Sequence, residues 1–236
     1  KALAQHARIL LQQAERLQQD LAEYAQGVKG QVRLLCNTTA ITEYLPEVLA
    51  DFLCEHPNLD IDLQELPSAR ITHALRQGAA DIGIVSDAVD TTDLQTQPFR
   101  DDPLRLIVPP GHPLAGAAEV SFSDALHYDF VGLNTDSALA IYLEEQALHS
   151  GSRMQVRIRA DGFDGVLRMV ARGAGLAIVP LAAIERATPQ TFSSIALNEP
   201  WARRTLMLCA RDFSALPGYA KALLQALALP EGKARF

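Results

Sequence analysis

The chain has 236 residues, of which 48% are hydrophobic and 21% are charged, and its formal net charge is -7. This length and apolar content allow one or two domains with buried cores and exclude a disordered chain. The acidic balance excludes a protein that binds nucleic acid by itself. No apolar run reaches the ~18 residues of a membrane span, and no signal peptide is visible, so we expect a cytoplasmic protein without a membrane partner.

The cysteines and the catalytic motifs indicate little chemistry. The three cysteines, at positions 36, 54 and 209, are far apart and show no zinc-site spacing. No GxSxG, HExxH or P-loop motif occurs in the sequence. Cys36 precedes a predicted helix start, where thiol pKa values fall, but its place in an apolar strand favours an inert side chain. We therefore predict no metal, no cofactor and no enzymatic activity.

The first 26 residues predict one long helix, because they contain neither Pro nor Gly and are rich in Ala, Leu, Gln and Glu. A seam with alternating spacings of four and three runs along it, through Leu3, Ala7, Leu10, Ala14, Leu17, Leu21 and Tyr24. An isolated helix of this length is only marginally stable in water. We interpret residues 1–29 as a linker or dimerisation helix; packing on its own domain is the alternative.

The residues after this helix predict strands and helices in the order β-α-β-α-β. Short or alternating apolar runs indicate strands, and runs that are apolar on one face indicate helices. Gly78 is placed to end the second helix. The predicted strands are residues 32–36, 59–63 and 81–85, and the predicted helices are residues 43–55 and 69–77.

The same order recurs about 95 to 98 residues later along the chain. The second set comprises strands at 130–133, 155–159 and 176–179 and helices at 137–149 and 163–172. Further strands at 103–109 and 204–210 and a final helix at 218–229 indicate that the chain crosses twice between the halves. We predict an α/β fold of two Rossmann-like subdomains: residues 30–108 with 206–236, and residues 109–205.

Small polar residues follow several of the predicted strands, at the helix starts. In open α/β sheets ligands bind at this edge, where helix N-termini present free N–H groups. The candidate effector-binding residues are Asn37, Thr38, Thr39, Ser86, Asn134, Thr135, Gly162 and Phe163. Ser, Thr and Asn are also ordinary helix caps, so capping alone stays an alternative. Nearby aspartates suit an amino acid or a neutral metabolite as well as an organic acid.

Six short motifs occur in order along nearly the whole chain. They are GQVRL at 30–34, LP at 45–46, FLCEHP at 52–57, GAADIGI at 78–84, VPPGHPLA at 108–115 and GAGLAIVP at 173–180. In these motifs and in the glycine-ended helix before them, the chain resembles the C-terminal part of LysR-type transcriptional regulators. Single residues of the motifs, such as Gly78 and Gly173, are expected to set turns.

The resemblance implies an effector-binding domain with the type II periplasmic-binding-protein fold, in which two crossover strands join the subdomains and the effector lies between them. It implies a homodimer or homotetramer, and an amino-terminal winged helix-turn-helix that binds promoter DNA. We expect that domain upstream of Lys1. By position, the effector contacts would be Asn37-Thr38-Thr39, Asn134-Thr135 and Gly162-Phe163.

The chain departs from relatives that hold acids through a basic residue, because no Arg or Lys can be placed in the cleft from the sequence. Residues 160–165 contain no cysteine, which argues against redox sensing. We interpret the chain as the regulatory part of a transcription regulator. The alternatives are a solute-binding protein of the same fold, an enzyme using Cys36, and a regulator without effector.

Overall fold

A computed structural model describes residues 30–188 and 191–228. The predicted linker helix therefore lies outside the described residues, as does the end of the last predicted helix. Within these ranges no helix is both long enough and apolar enough to cross a membrane.

The described chain forms eleven strands and seven α-helices, with a π-helical turn at Ala40–Tyr44 and a 3-10 turn at Pro200–Ala202. In chain order they are β1 Gly30–Cys36, α1 Leu45–Glu55, β2 Leu59–Glu65, α2 Ser68–Arg76, β3 Ile82–Ser86, β4 Gln95–Asp101, β5 Leu104–Val108, β6 Glu119–Val120, α3 Phe122–Ala125, β7 Asp129–Leu133, α4 Ala138–His149, β8 Gln155–Ala160, α5 Phe163–Ala171, β9 Ala177–Pro180, α6 Leu181–Arg186, β10 Ser193–Leu197, β11 Thr205–Ala210 and α7 Gly218–Ala228.

The first lobe is a five-stranded sheet in the order β2-β1-β3-β11-β4. β1 pairs in parallel with β2 and β3, and β11 runs antiparallel to β3 and β4. Alternate residues of β1 enter different cores. Val32 and Leu34 pack in the cluster formed with α1 and α7, whereas Leu35 packs with Ile71 and Leu75 of α2. The sheet is therefore covered by helices on both faces.

The second lobe repeats this plan. β5 runs antiparallel to β9 and β10, and β6 is added in parallel to β10. β7 and β8 are parallel, and a bridge between Phe130 and Leu176 joins β7 to the start of β9. A single apolar cluster fills this lobe, with Phe122, Phe130 and Leu167 among its fully buried side chains.

Each lobe receives an antiparallel strand after the chain has crossed from the other lobe. β5 stands beside β9 as β11 stands beside β3. The predicted boundary after residue 108 assigned β5 to the first lobe, whereas among the described strands β5 pairs with β9 and β10 of the second lobe, so that the crossing occurs before Leu104. The return crossing lies between Ala202 and Thr205. We call these two short segments the hinge.

Candidate functional site

Asn37 follows β1 directly and caps the helix that begins after it. Its Oδ1 accepts a hydrogen bond from the Ala40 N–H at 3.0 Å, which is the usual geometry of an N-cap side chain. The π-helical turn at Ala40–Tyr44 comes before Pro46 at the start of α1. A proline ring clashes with the carbonyl four residues earlier in a regular helix, which accounts for the wider turn. Asn37 is 6% exposed, and its side-chain oxygen is used for capping.

Thr38 reaches from the first lobe to the second. Its hydroxyl donates to Glu65 Oε1 at 2.6 Å and accepts from the Leu139 N–H of α4 at 2.9 Å. The Ser137 hydroxyl lies 3.2 Å from the same oxygen. Glu65, at the end of β2, also accepts from the Ala138 N–H at 2.8 Å. Two first-lobe side chains thus bind the N-terminus of a second-lobe helix.

The N-terminus of α4 has no amide left for another partner in its first turn. The first three N–H groups of a helix have no acceptor within it. Here the Ala138 N–H donates to Glu65, and the Leu139 N–H donates to Thr38. The Ala140 N–H donates to the Ser137 hydroxyl at 3.4 Å. In this closed arrangement the lobes touch directly at the place where a ligand was expected.

A buried ion pair forms the hinge beneath these contacts. Arg204 Nη2 lies 2.5 Å from Asp102 Oδ2, and the two side chains are 5% and 0% exposed. Burial raises the pKa of the Asp102 carboxyl, and the nearby Arg204 charge opposes that rise. Arg204 also donates to the Thr39 hydroxyl at 3.1 Å, and its guanidinium lies 5.7 Å from the Tyr142 ring centre. The hinge therefore links both crossing segments to helices of both lobes.

A second set of contacts between the lobes comes from Arg186, at the end of α6. Its guanidinium donates to the Glu43 carbonyl at 2.6 Å and pairs with the Glu47 carboxylate. Burial raises the pKa of the Glu43 carboxyl, against the opposing charge of Arg186. Arg186 thus ties the second lobe to the start of the first-lobe helix α1.

The other predicted residues of the second lobe lie apart from this contact. Asn134 donates to the Asp161 carboxylate, which joins the loops after β7 and β8. Thr135 is exposed, and Ser137 is the residue that caps α4. Gly162 is the extended residue before α5, and Phe163 is buried in the second-lobe core at 5% exposure. Asn134 and Gly162 thus form hydrogen bonds within the second lobe, and Phe163 packs in its core.

Ser86, at the end of β3, is buried and forms hydrogen bonds with nearby residues of the first lobe. Its N–H donates to the Ser68 hydroxyl at 3.1 Å, and its hydroxyl accepts from the Ala88 N–H at 3.3 Å. The next residue, Asp87, donates its N–H to the Thr205 carbonyl beside the hinge. The hydrogen bonds of Ser86 therefore lie within the first lobe.

Sequence reasoning missed Glu65, Ser137, Asp102, Arg204 and Arg186. Glu65 had a signal, because it follows the strand predicted at residues 59–63 and so belongs to the carboxyl edge of the predicted sheet, as Asn37 does. Ser137 also had one, as a serine directly before an apolar helix. The hinge pair had only a weak signal in the sequence: Asp102 lies in one crossing segment and Arg204, of opposite charge, lies in the other. Arg186 had none, since its partners lie far away in the sequence.

The described residues offer little else for chemistry. They contain no group of three or more His, Cys, Asp or Glu side chains placed to hold a metal. Burial raises the pKa of the Cys36 thiol to about 12, with a further rise from the Glu65 charge, so this thiol is neutral and inert at physiological pH. An apolar pocket lies inside the second lobe, against Leu139, Leu143 and Val156. Glu144 and Arg159 also line it, and all of its lining residues belong to the second lobe.

Comparison with known proteins identifies the family. A family model described as LysR substrate binding domain matches residues 25–229. The HTH-type transcriptional regulator CysL of Bacillus subtilis (strain 168) is 26% identical over 177 residues, which cover 75% of this chain and 59% of that protein. The regulator AlsR of the same organism is 25% identical over 205 residues, covering 83% and 67%. The chain thus spans less than two thirds of the length of CysL.

Solved structures show the same fold. The CcmR regulatory domain of Synechocystis PCC6803 in complex with 2-PG has a TM-score of 0.66 at 21% identity, covering 85% of this chain and 96% of that one. The BenM effector binding domain with benzoate has a TM-score of 0.60 at 20% identity, covering 85% and 91%. These likenesses confirm the predicted periplasmic-binding-protein-like fold. With the family model matching most of its length, the chain belongs to the LysR substrate binding domain family.

Proposed function

We propose that this chain is the effector-sensing part of a LysR-type transcription regulator, which binds a small metabolite between its two lobes. The observation that carries the proposal is the meeting of Thr38 and Glu65 with the N-terminus of α4. Backbone amides of α4, the Thr38 and Ser137 hydroxyls and the Glu65 carboxylate converge there from both lobes. Such groups suit a small polar ligand.

The ligand class we propose is a small organic acid, with amino acids as the next class to test. Structural neighbours were solved with 2-PG, with shikimate and with benzoate. The α4 N-terminus supplies a partial positive charge for such a ligand, whereas the charge of Arg204, which is hydrogen-bonded to Thr39, is already balanced by Asp102.

Regulation would follow from the angle between the lobes. A ligand that favours one angle shifts the population towards it by its difference in affinity. The two crossing segments carry that rotation, and the oligomer conveys it to DNA-binding domains amino-terminal to this chain. The relatives named as HTH-type regulators are longer than the matched region, which supports such a domain. We propose a homodimer or homotetramer, a cytoplasmic location and no catalytic activity.

Thermal unfolding with a panel of organic acids, aromatic acids and amino acids tests the proposal. A ligand at 100 times its Kd stabilises the folded protein by about 2.7 kcal/mol. We expect one compound class to raise the Tm of the native chain, and Thr38→Ala to abolish most of that rise. Thr96→Ala is the matched control, since Thr96 is exposed on the edge strand β4 and should leave the rise intact. A panel in which no compound shifts any of the three proteins would contradict the proposal.

A further inference from the structure

The place that an anionic ligand would take is already filled by a carboxylate of the protein. Glu65 belongs to the first lobe, and its Oε1 accepts from the Thr38 hydroxyl at 2.6 Å and from the Ala138 N–H at 2.8 Å. The two donors come from opposite sides of the cleft. Glu65 itself is half-buried between them. One carboxylate oxygen therefore bridges the two lobes.

The donors held by Glu65 are the ones that a carboxylate ligand needs. A helix N-terminus offers free amides and a partial positive charge, and a hydroxyl beside it completes a charge-assisted pair of hydrogen bonds. The remaining first-turn amides of α4 are taken by Thr38 and Ser137. An external anion cannot bind these amides until the lobes part and Glu65 leaves.

We infer that Glu65 acts as a tethered competitor of an anionic effector. It thereby sets which ligand charge the site accepts and the effector concentration at which the site is occupied. A tethered group acts at a high effective concentration, so it holds the lobes closed when no effector is present. The effector exchanges its own carboxylate for that of Glu65. This inference rests on the proposed function, because it names how the same site chooses its ligand.

A different role for Glu65 predicts the opposite change in ligand affinity. If Glu65 stayed in place and bound a cationic ligand, removing its charge would weaken binding. If Glu65 is a competitor, removing its charge strengthens the binding of acids. The direction of the change in affinity therefore decides between the two roles.

Amide hydrogen exchange in the ligand-free chain tests the closed contact. Leu139 donates to Thr38 and not to Glu65, so its amide reports separation of the lobes and not the loss of its own acceptor. We expect slow exchange at Leu139 in the native chain and fast exchange in Glu65→Ala. The amide of Ile141, bonded to the Ser137 carbonyl, should stay protected in both. Fast exchange at Leu139 in the native chain would overturn the closed contact.

Calorimetric titration with benzoate and with shikimate tests the competition. We expect Glu65→Gln to bind the acid that the native chain prefers about tenfold more tightly, the difference between a charge-assisted and a neutral hydrogen bond. Glu65→Asp keeps the charge but shortens the side chain, and it should also bind more tightly if displacement, not repulsion, is the cause. Glu55→Gln removes an exposed first-lobe charge at the end of α1 and is the matched control, with unchanged affinity.

The outcomes separate this inference from the proposed function. If an acid binds the native chain and binds Glu65→Gln equally or more weakly, the competitor role is overturned and the function stands. If no compound of the wider panel binds the native chain or Glu65→Gln, both are overturned. Binding that appears only in Glu65→Gln would support a strong competitor.

Discussion

At the scale of single residues, neighbouring side chains of similar chemistry form hydrogen bonds with different parts of the molecule. Asn37 caps its own helix, Thr38 binds the N-terminus of α4, and Thr39 contacts Arg204 at the hinge. The sequence left capping and effector binding as alternatives for these residues; the structure shows capping at Asn37 and contacts to the second lobe and the hinge at Thr38 and Thr39. Propensity identifies such residues as helix-start residues, but it does not identify their partners.

The prediction at the scale of single residues concerns the buried ion pair between Asp102 and Arg204. Asp102→Asn leaves the Arg204 guanidinium, whose side chain is 5% exposed, without a counter-charge. Breaking one side of a buried pair costs about 3–5 kcal/mol, and we expect that loss in the free energy of unfolding measured with urea. Glu119→Gln is the control, because its pair with Arg203 is largely exposed and should cost less than about 1 kcal/mol. Equal losses in the two variants would show that Asp102 does not neutralise Arg204.

At the scale of elements, helices and parallel strands were predictable from apolar periodicity. The predicted strand at 32–36 is β1, and the predicted helix at 163–172 is α5, each within two residues of the observed bounds. The edge strand β4 was missed because it is polar, contains Pro98 and buries only Phe99. Such a strand owes its existence to pairing with β11, which comes from the far end of the chain.

Gly175 shows how closely two elements approach. A Cβ at this position would lie 2.6 Å from the Asp129 carbonyl oxygen. That oxygen accepts the Leu176 N–H at 2.9 Å, in the bridge that joins β7 to β9. We expect Gly175→Ala to lower the free energy of unfolding by about 1–3 kcal/mol, since backbone must shift to admit the methyl group.

Gly116→Ala provides the comparison for that measurement, because a Cβ at Gly116 meets no atom within 4 Å. Its effect should stay within about 0.5 kcal/mol. Chemical denaturation of the two variants side by side checks the prediction. If Gly175→Ala were as stable as Gly116→Ala, the close approach of these strands would not be a constraint on the fold.

At the scale of the whole molecule, the closed arrangement depends on contacts at two separate places. Glu65 and Thr38 hold α4, and Arg186 holds the start of α1. The hinge pair lies at a third place, where both crossings pass. In the opening that we propose, the first two sets of contacts would break and the lobes would turn about the third, with the core of each lobe intact.

Arg186→Met tests the balance between these contacts. The variant keeps an unbranched apolar stem but loses the guanidinium that bridges Glu43 and Glu47. Arg186 bridges the lobes in the closed arrangement without ligand, so we expect its loss to speed exchange at Leu139. Since the lobes must part before an acid can bind, acid binding should strengthen by up to about fivefold, as for a partly exposed pair. Glu65→Gln should change the affinity in the same direction.

Arg168→Met is the control for Arg186→Met, since Arg168 pairs with Asp164 within α5 and bridges no lobes. Calorimetry and amide exchange on both variants give the comparison. If the two variants behaved alike, Arg186 would have no part in closure.

By itself, the sequence determined the two α/β lobes, the order of their helices and strands, and the family, because apolar periodicity and turn residues act over short distances. It also placed Thr38 and Thr39 at the edge where the lobes meet. Only the tertiary structure decided that β5 belongs to the second lobe, that Arg204 neutralises Asp102, and that Glu65 fills the N-terminus of α4. These contacts join residues far apart in the chain, and such pairings are fixed by packing and charge complementarity across the whole fold, which no local pattern records.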